Sequence, residues 1–176
     1  MRLGLVLALT LSSLTLSVAP EVIAQSRSPI DSNIRWTLAA VGDVIMNRRL
    51  EQFDHPGDPG FHELANVIRA ADAAFMNLEQ SVFRLQEFDG WPAAENGGNY
   101  EVGSPETLMD LVSMGFNLFN RANNHTTDYG VAGLRATNRL MDEMGLVHAG
   151  TGENLGWASR PGYLETSKGR IALIGM

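Results

Sequence analysis

The segment Phe116–Gly130, FNLFNRANNHTTDYG, constrains this chain more than any other. A mostly apolar run enters the amides of Asn123 and Asn124 and the imidazole of His125, and Asp128 follows three residues later. A short apolar run that ends this way reads as a buried strand carrying polar side chains to the rim of a sheet. Open α/β sheets keep their chemistry there, beyond the carboxyl ends of the strands. Two other segments repeat the construction. Trp36–Val41 leads into Gly42-Asp43, and Ala73–Met76 leads into Asn77-Leu78-Glu79. Both runs are expected to be strands buried on both faces. Three strand ends then carry Asp43, Asn77 with Glu79, and Asn124 with His125. Hard oxygen donors beside one imidazole suit a divalent Mn, Zn, Fe or Mg ion better than a thiolate-loving metal.

Helical spacing separates these runs. Asp58 and Pro59 fit the cap and first residue of a helix, and Leu64, Val67, Ile68 and Ala71 follow at helical intervals. Ser104-Pro105-Glu106 opens a second helix with Leu108, Leu111 and Val112 as its inner stripe and Gly115 as its left-handed stop. Gly130–Met144 reads as a third, with Val131, Leu134, Leu140, Met141 and Met144 inward. Asp128 is expected to cap that helix, and Asn77 to hydrogen-bond loop backbone. Leu146–Ala149 and Arg170–Gly175 read as further strands. Gln86–Gly103 is a long glycine-rich loop, of a length that is usually functional or mobile. Strand–helix alternation predicts an α/β fold built on a mainly parallel sheet with helices on its faces.

Residues 1–24 read as a signal peptide: Met1-Arg2, an apolar stretch from Leu3 to Val18, and Val22-Ile23-Ala24 at the cleavage site. The alternative is an uncleaved anchor, but the stretch is shorter than the roughly 20 residues that a spanning helix needs. Residues 25–33 read as a linker, and 34–176 as one domain. The chain has no cysteine, which excludes an amino-terminal lipid anchor on that residue. Its formal net charge of −7 argues against nucleic acid as a partner, because phosphate contacts need Lys and Arg. Gripping a polyanion would need metal ions to supply positive charge. His148 is expected to be structural or exposed, His55 and His62 solvated, and Gly150-Thr151-Gly152 a tight turn.

The ordered blocks GDVIMNRRL, NLEQSV, ANNHTTDYGVAGLRATNRLM, HAGTGEN and RIALIGM, spread over residues 34–176, resemble the capsule synthesis protein CapA family. That family is associated with poly-gamma-glutamate capsules and belongs to the calcineurin-like metallophosphoesterase superfamily. The ANNHxxDYG block is the specific part of the resemblance. It implies two sheets packed face to face and flanked by helices, with only the first part of that architecture present here. It also implies divalent metal ions held by Asp43, by Glu79 as a bridging carboxylate and by Asn124; Asn77 and Asp128, beside these residues in sequence, are expected to support them from behind. His125 is implied as the residue that contacts the phosphoryl group and acts as general acid. The implied partners are an anionic polymer or a phosphoester substrate and membrane-associated capsule machinery, outside the cytoplasm.

Two departures from the superfamily pattern matter. Ile45 stands where a histidine two residues after Asp43 is expected, and no His-x-His segment follows before Met176. The chain is therefore expected to be an amino-terminal piece of a longer reading frame. Three readings stay open: a metal-dependent phosphoesterase-type hydrolase, a non-catalytic accessory that binds polymer, and an inert truncated product.

Overall fold

Strand β1 (Leu38–Val44), rich in small residues and apolar but for Asp43, pairs in parallel with β2 (Ala73–Leu78). Eleven residues from Pro59 to Arg69 form α1 between them. The computed structural model describes residues 35–50, 59–93 and 99–176. The expected leader and linker, the Asp58 cap and His55 lie outside the described residues.

After β2 the chain forms the short strands β3 (Ser81–Val82) and β4 (Val102–Gly103), which pair in parallel in a sheet of their own. Helix α2 (Pro105–Ser113), strand β5 (Leu118–Asn120), helix α3 (Gly130–Glu143) and strand β6 (Val147–Ala149) follow. The main sheet has the order β1-β2-β5-β6, and every neighbouring pair in it is parallel. The fold is thus α/β, a parallel four-stranded sheet flanked by helices. A four-residue helix α4 (Leu155–Ala158) leads into an antiparallel hairpin of β7 (Gly162–Thr166) and β8 (Gly169–Leu173).

The core lies on one face of the sheet. Ala74, Met76 and Leu78 from β2 and Phe119 from β5 pack with Ile68 of α1, Leu108 and Leu111 of α2, and Met141 of α3. The intervening residues of β1 and β2 point to the other face, as the two-residue period of a strand requires. The expectation that β1 is buried on both faces is therefore wrong. It is an edge strand of alternating exposure, and Leu38 is 63% exposed. On that second face the hairpin forms one wall of an apolar cleft with Trp36, Leu38, Phe75 and Leu118.

Local signals explain most of the helices. Ser104 caps α2, its Oγ accepting from Thr107 N at 3.4 Å, and Pro105 opens it. Gly115 takes φ +109° behind it, a conformation that glycine adopts without steric cost. In α1, Ala65 and Ile68 are buried, whereas Leu64 and Val67 face outward. Helix α3 departs further from expectation. Val131 is 58% exposed, and the buried positions are Gly133, Thr137 and Met141, each four residues from the next. Close approach and a hydrogen bond set the face in the first half of the helix, while Met141 enters the core as expected, with Leu140 and Met144 packed against it. A Cβ on Gly133 would lie 2.5 Å from that of Tyr129. Thr137 Oγ1 accepts from Val82 N at 2.9 Å and donates to Gly133 O at 2.9 Å.

The hairpin is tied to the main sheet by Asp72. Its Oδ2 accepts from Thr37 N, Thr37 Oγ1 and Lys168 Nζ, each at 2.8 Å. The hydrogen bond from Lys168, followed by those from Thr37, pulls the carboxyl down to about 2. A carboxyl held below its unfolded value of 3.8 stabilises the fold above that pH, and the stabilisation is lost as the pH falls towards 2. Thermal melts of Asp72→Asn are expected to show a flatter acid limb than the wild type between pH 4 and 2, the window bounded by those two values.

Candidate functional site

The register of the sheet aligns one polar residue from each of three strands. Asp43 pairs with Asn77, and Asn77 pairs with Asn120. An irregularity in β1 between Ala40 and Asp43 produces the first match. Such an interruption shifts which residue meets the neighbouring strand. Asn120 Nδ2 donates to Asn77 Oδ1 at 2.8 Å, and Asn77 Nδ2 donates to Asp43 Oδ1 at 2.8 Å. The row ends at an acid, so its hydrogen bonds all run one way.

Asn77 is the hub. The same Nδ2 group reaches Glu79 Oε2 at 3.2 Å, so one amide bridges both carboxylates. Its Oδ1 also accepts from Asn123 Nδ2 at 3.0 Å. The expectation that Asn77 serves loop backbone is corrected: its partners are four side chains. Its amide, then contact with Glu79, holds Asp43 below its ordinary range. Glu79 moves the other way, raised first by burial and then by the nearby Asp43. Two carboxylates this close favour keeping one of them protonated.

His125 stands on a single 3-10 turn, Asn124–Thr127, that follows β5. Its Nδ1 lies 2.8 Å from Asp128 Oδ2, and Asp128 is fully buried. Asp128 also accepts from Glu101 N at 2.6 Å. It does not cap α3, since Tyr129 holds that position with no side-chain bond. The reason is local: its carboxylate is turned inward onto His125. This carboxylate, helped by the charge of Glu79, raises the histidine above 6.5 against the opposing effect of burial. With Nδ1 committed to Asp128, Nε2 is the ring nitrogen available for a ligand or a proton.

Asn124 does not join the network. It is exposed, and its amide makes no hydrogen bond among the described residues. Ile45 is 44% exposed at the position where a further ligand is expected. The donor types suit a hard divalent cation. Convergence is incomplete: among the described residues no three His, Asp or Glu side chains come together closely enough to hold a metal ion. The fit is thus partial, two carboxylates bridged by one amide with an imidazole nearby. His148 sits apart, its Nε2 3.0 Å from Asp142 Oδ1, in keeping with a structural role.

Residues 37–176 match the family described as bacterial capsule synthesis protein PGA_cap. The chain belongs to this family. The protein y4sH of Sinorhizobium fredii, which is uncharacterised, is 49% identical over 79% of this chain and 30% of its own length. The capsule biosynthesis protein CapA of Bacillus anthracis is 28% identical over 81% of this chain and 35% of its own. The PGA biosynthesis protein CapA of Bacillus subtilis is 28% identical over 77% and 35% respectively. The chain therefore spans about a third of the length of the curated relatives it matches. For a capsule synthesis family member, the rim described above is the polar constellation that lies beyond the strand ends.

Sequence reasoning missed Gln80, Asn120 and Arg121 as organisers of this rim, and it placed Asn123 there without a role. Asn120, Arg121 and Asn123 follow the apolar run of β5 directly, which is the signal that marks them. Gln80 carries none, because nothing distinguishes a buried glutamine from a solvated one in a loop.

A histidine with a raised folded-state value contributes stability in full below its unfolded value of 6.5 and loses it as the pH rises through the folded value. In Asp128→Asn the His125 ring is expected to titrate at lower pH than in the wild type, followed by NMR of the ring protons. The excess stability on the acid side of neutrality should shrink with it.

Proposed function

We propose that this chain is the part of a capsule synthesis protein that carries a divalent-metal centre of phosphoesterase type, acting in poly-gamma-glutamate synthesis or export. The observation that carries the reading is the rim where Asp43, Glu79 and the His125–Asp128 pair stand at three strand ends. Asp43 and Glu79 are the metal carboxylates in this reading. Asn124, exposed on the same turn as His125, would supply an amide oxygen to the cation. A bound cation would supply positive charge to an anionic substrate and lower the pKa of a bound water. His125, oriented through Nδ1 and drawn towards its charged form by Asp128, donates a proton from Nε2 to the departing oxygen. Asp128, accepting from Nδ1, holds the ring in that orientation.

The wider architecture and setting belong to the same proposal. The exposed face of β1 and the apolar cleft beside the hairpin are in keeping with a second layer packed there, as in a metallophosphoesterase sandwich. Residues 1–24 act as a signal peptide and place the protein outside the cytoplasm, beside membrane-associated capsule machinery. Among the described residues no helix is long and apolar enough to cross a membrane.

A second reading has its own support. Ile45 cannot ligate, and the described carboxylates and imidazole fall short of a full metal shell. A non-catalytic accessory that binds an anionic polymer through bridging cations fits those two facts, given the net charge of −7.

Calorimetric titration with Mn²⁺ and hydrolysis of an activated phosphodiester separate the readings. Asp43→Asn and Glu79→Gln are expected to weaken Mn²⁺ binding by about tenfold or more. His125→Ala is expected to abolish hydrolysis while changing Mn²⁺ affinity less. If Asp43→Asn and His125→Ala leave both measurements at the wild-type level, the hydrolase reading fails. Polymer binding that is lost with a chelator, without any turnover, selects the accessory.

A further inference from the structure

Arg121 is fully buried, and no carboxylate pairs with it among the described residues. Its Nη1 donates to Leu78 O at 3.1 Å and to Gln80 O, the two carbonyls that flank Glu79. Among the described residues Nε and Nη2 have no hydrogen-bond partner. Arginine is almost never fully buried unless it is paired. A buried charge with no counter-ion is harder to accommodate than an apolar side chain of similar volume. Stability alone therefore does not account for this residue. Burial lowers its pKa to about 10, so the guanidinium remains charged at neutral pH.

The backbone of Arg121 reaches the other half of the rim. Its carbonyl accepts from Thr126 Oγ1, the residue after His125, and the same hydroxyl contacts Asn123 Oδ1 at 3.0 Å. On the far side, Gln80 is also fully buried and clamps the loop after β1. Its Oε1 accepts from Met46 N, and its Nε2 donates to Met46 O at 3.1 Å. Thus one chain of hydrogen bonds runs from the loop behind Asp43, through Gln80 and Arg121, to the turn that carries His125.

We infer that Arg121 is a positioning residue: it fixes the Leu78–Gln80 turn against the Asn124–Thr127 turn and so sets how Glu79 faces His125. Its effect on metal binding rests on the centre proposed above, whereas the coupling of the two turns does not. Leu78 O keeps a second donor in Asn123 Nδ2 at 3.0 Å, so loss of the guanidinium leaves chiefly Gln80 O unpaired.

The test is hydrogen exchange by mass spectrometry on the whole chain, wild type against Arg121→Met, with melting curves and Mn²⁺ calorimetry on the same samples. Arg121→Met is expected to melt close to the wild type. Amides of residues 78–82 and 123–127 should exchange about tenfold faster, with α2 unchanged. Mn²⁺ affinity should fall about tenfold, the scale of lost support around a metal site. Wild-type exchange in either turn overturns the inference. So does faster exchange across the whole sheet with a lower melting temperature, the mark of a purely structural role. Unchanged Mn²⁺ affinity alongside faster turns also overturns it. If the wild type binds no Mn²⁺, the metal centre falls and exchange alone decides Arg121. Should Arg121→Met not fold, Arg121→Lys keeps the charge without the planar fork. It is expected to raise exchange in the same two turns only, and wild-type rates or a general rise would refute the proposal.

Discussion

The Asn77 amide is the interaction on which the rim depends. Two carboxylates and an imidazole do not gather at adjacent strand ends without something to hold them, because the two acids repel each other. Asn77 donates to both acids and accepts from the two amides beyond it, Asn120 and Asn123. A carboxylate there would have nothing to donate, and an apolar residue would remove one hydrogen bond from each of four polar side chains. The parallel register makes this hub possible, since it places β1, β2 and β5 side by side with their ends level.

Around that hub the electrostatics are asymmetric. Asp43 is exposed and held anionic by its amide partner, while Glu79, further in, is pushed towards its protonated form. His125 is pulled towards its charged form by a buried acid. Neighbouring groups whose environments move their proton affinities apart are the usual raw material of acid–base chemistry. Arg121 adds a buried positive charge behind the turn that bears Glu79.

Much of this was legible in the sequence. Apolar runs ending in polar residues located β1, β2 and β5, and serine–proline and glycine punctuation located α2 and the stop behind it. The ANNHxxDYG block marked the turn and its histidine. What remained hidden follows from tertiary contact. Val131 looked like a core residue, yet the first half of α3 packs through Gly133 and Thr137, by closeness and a hydroxyl, and only its second half brings apolar area through Met141. Asp128 has the spacing of a helix cap but is turned inward by His125 and Glu101. Residues 162–173 form a separate antiparallel hairpin, with Gly169 at φ +130° opening its second strand, and their alternation in sequence does not say which sheet they join.

The most direct measurement of the central claim is anomalous diffraction from crystals grown with Mn²⁺. The account predicts a peak between the carboxylates of Asp43 and Glu79, with Asn77 still bridging its neighbours and Nε2 of His125 facing the same space. A peak seated elsewhere, or a structure in which Asp43 and His125 lie on different sides of the sheet, would contradict it.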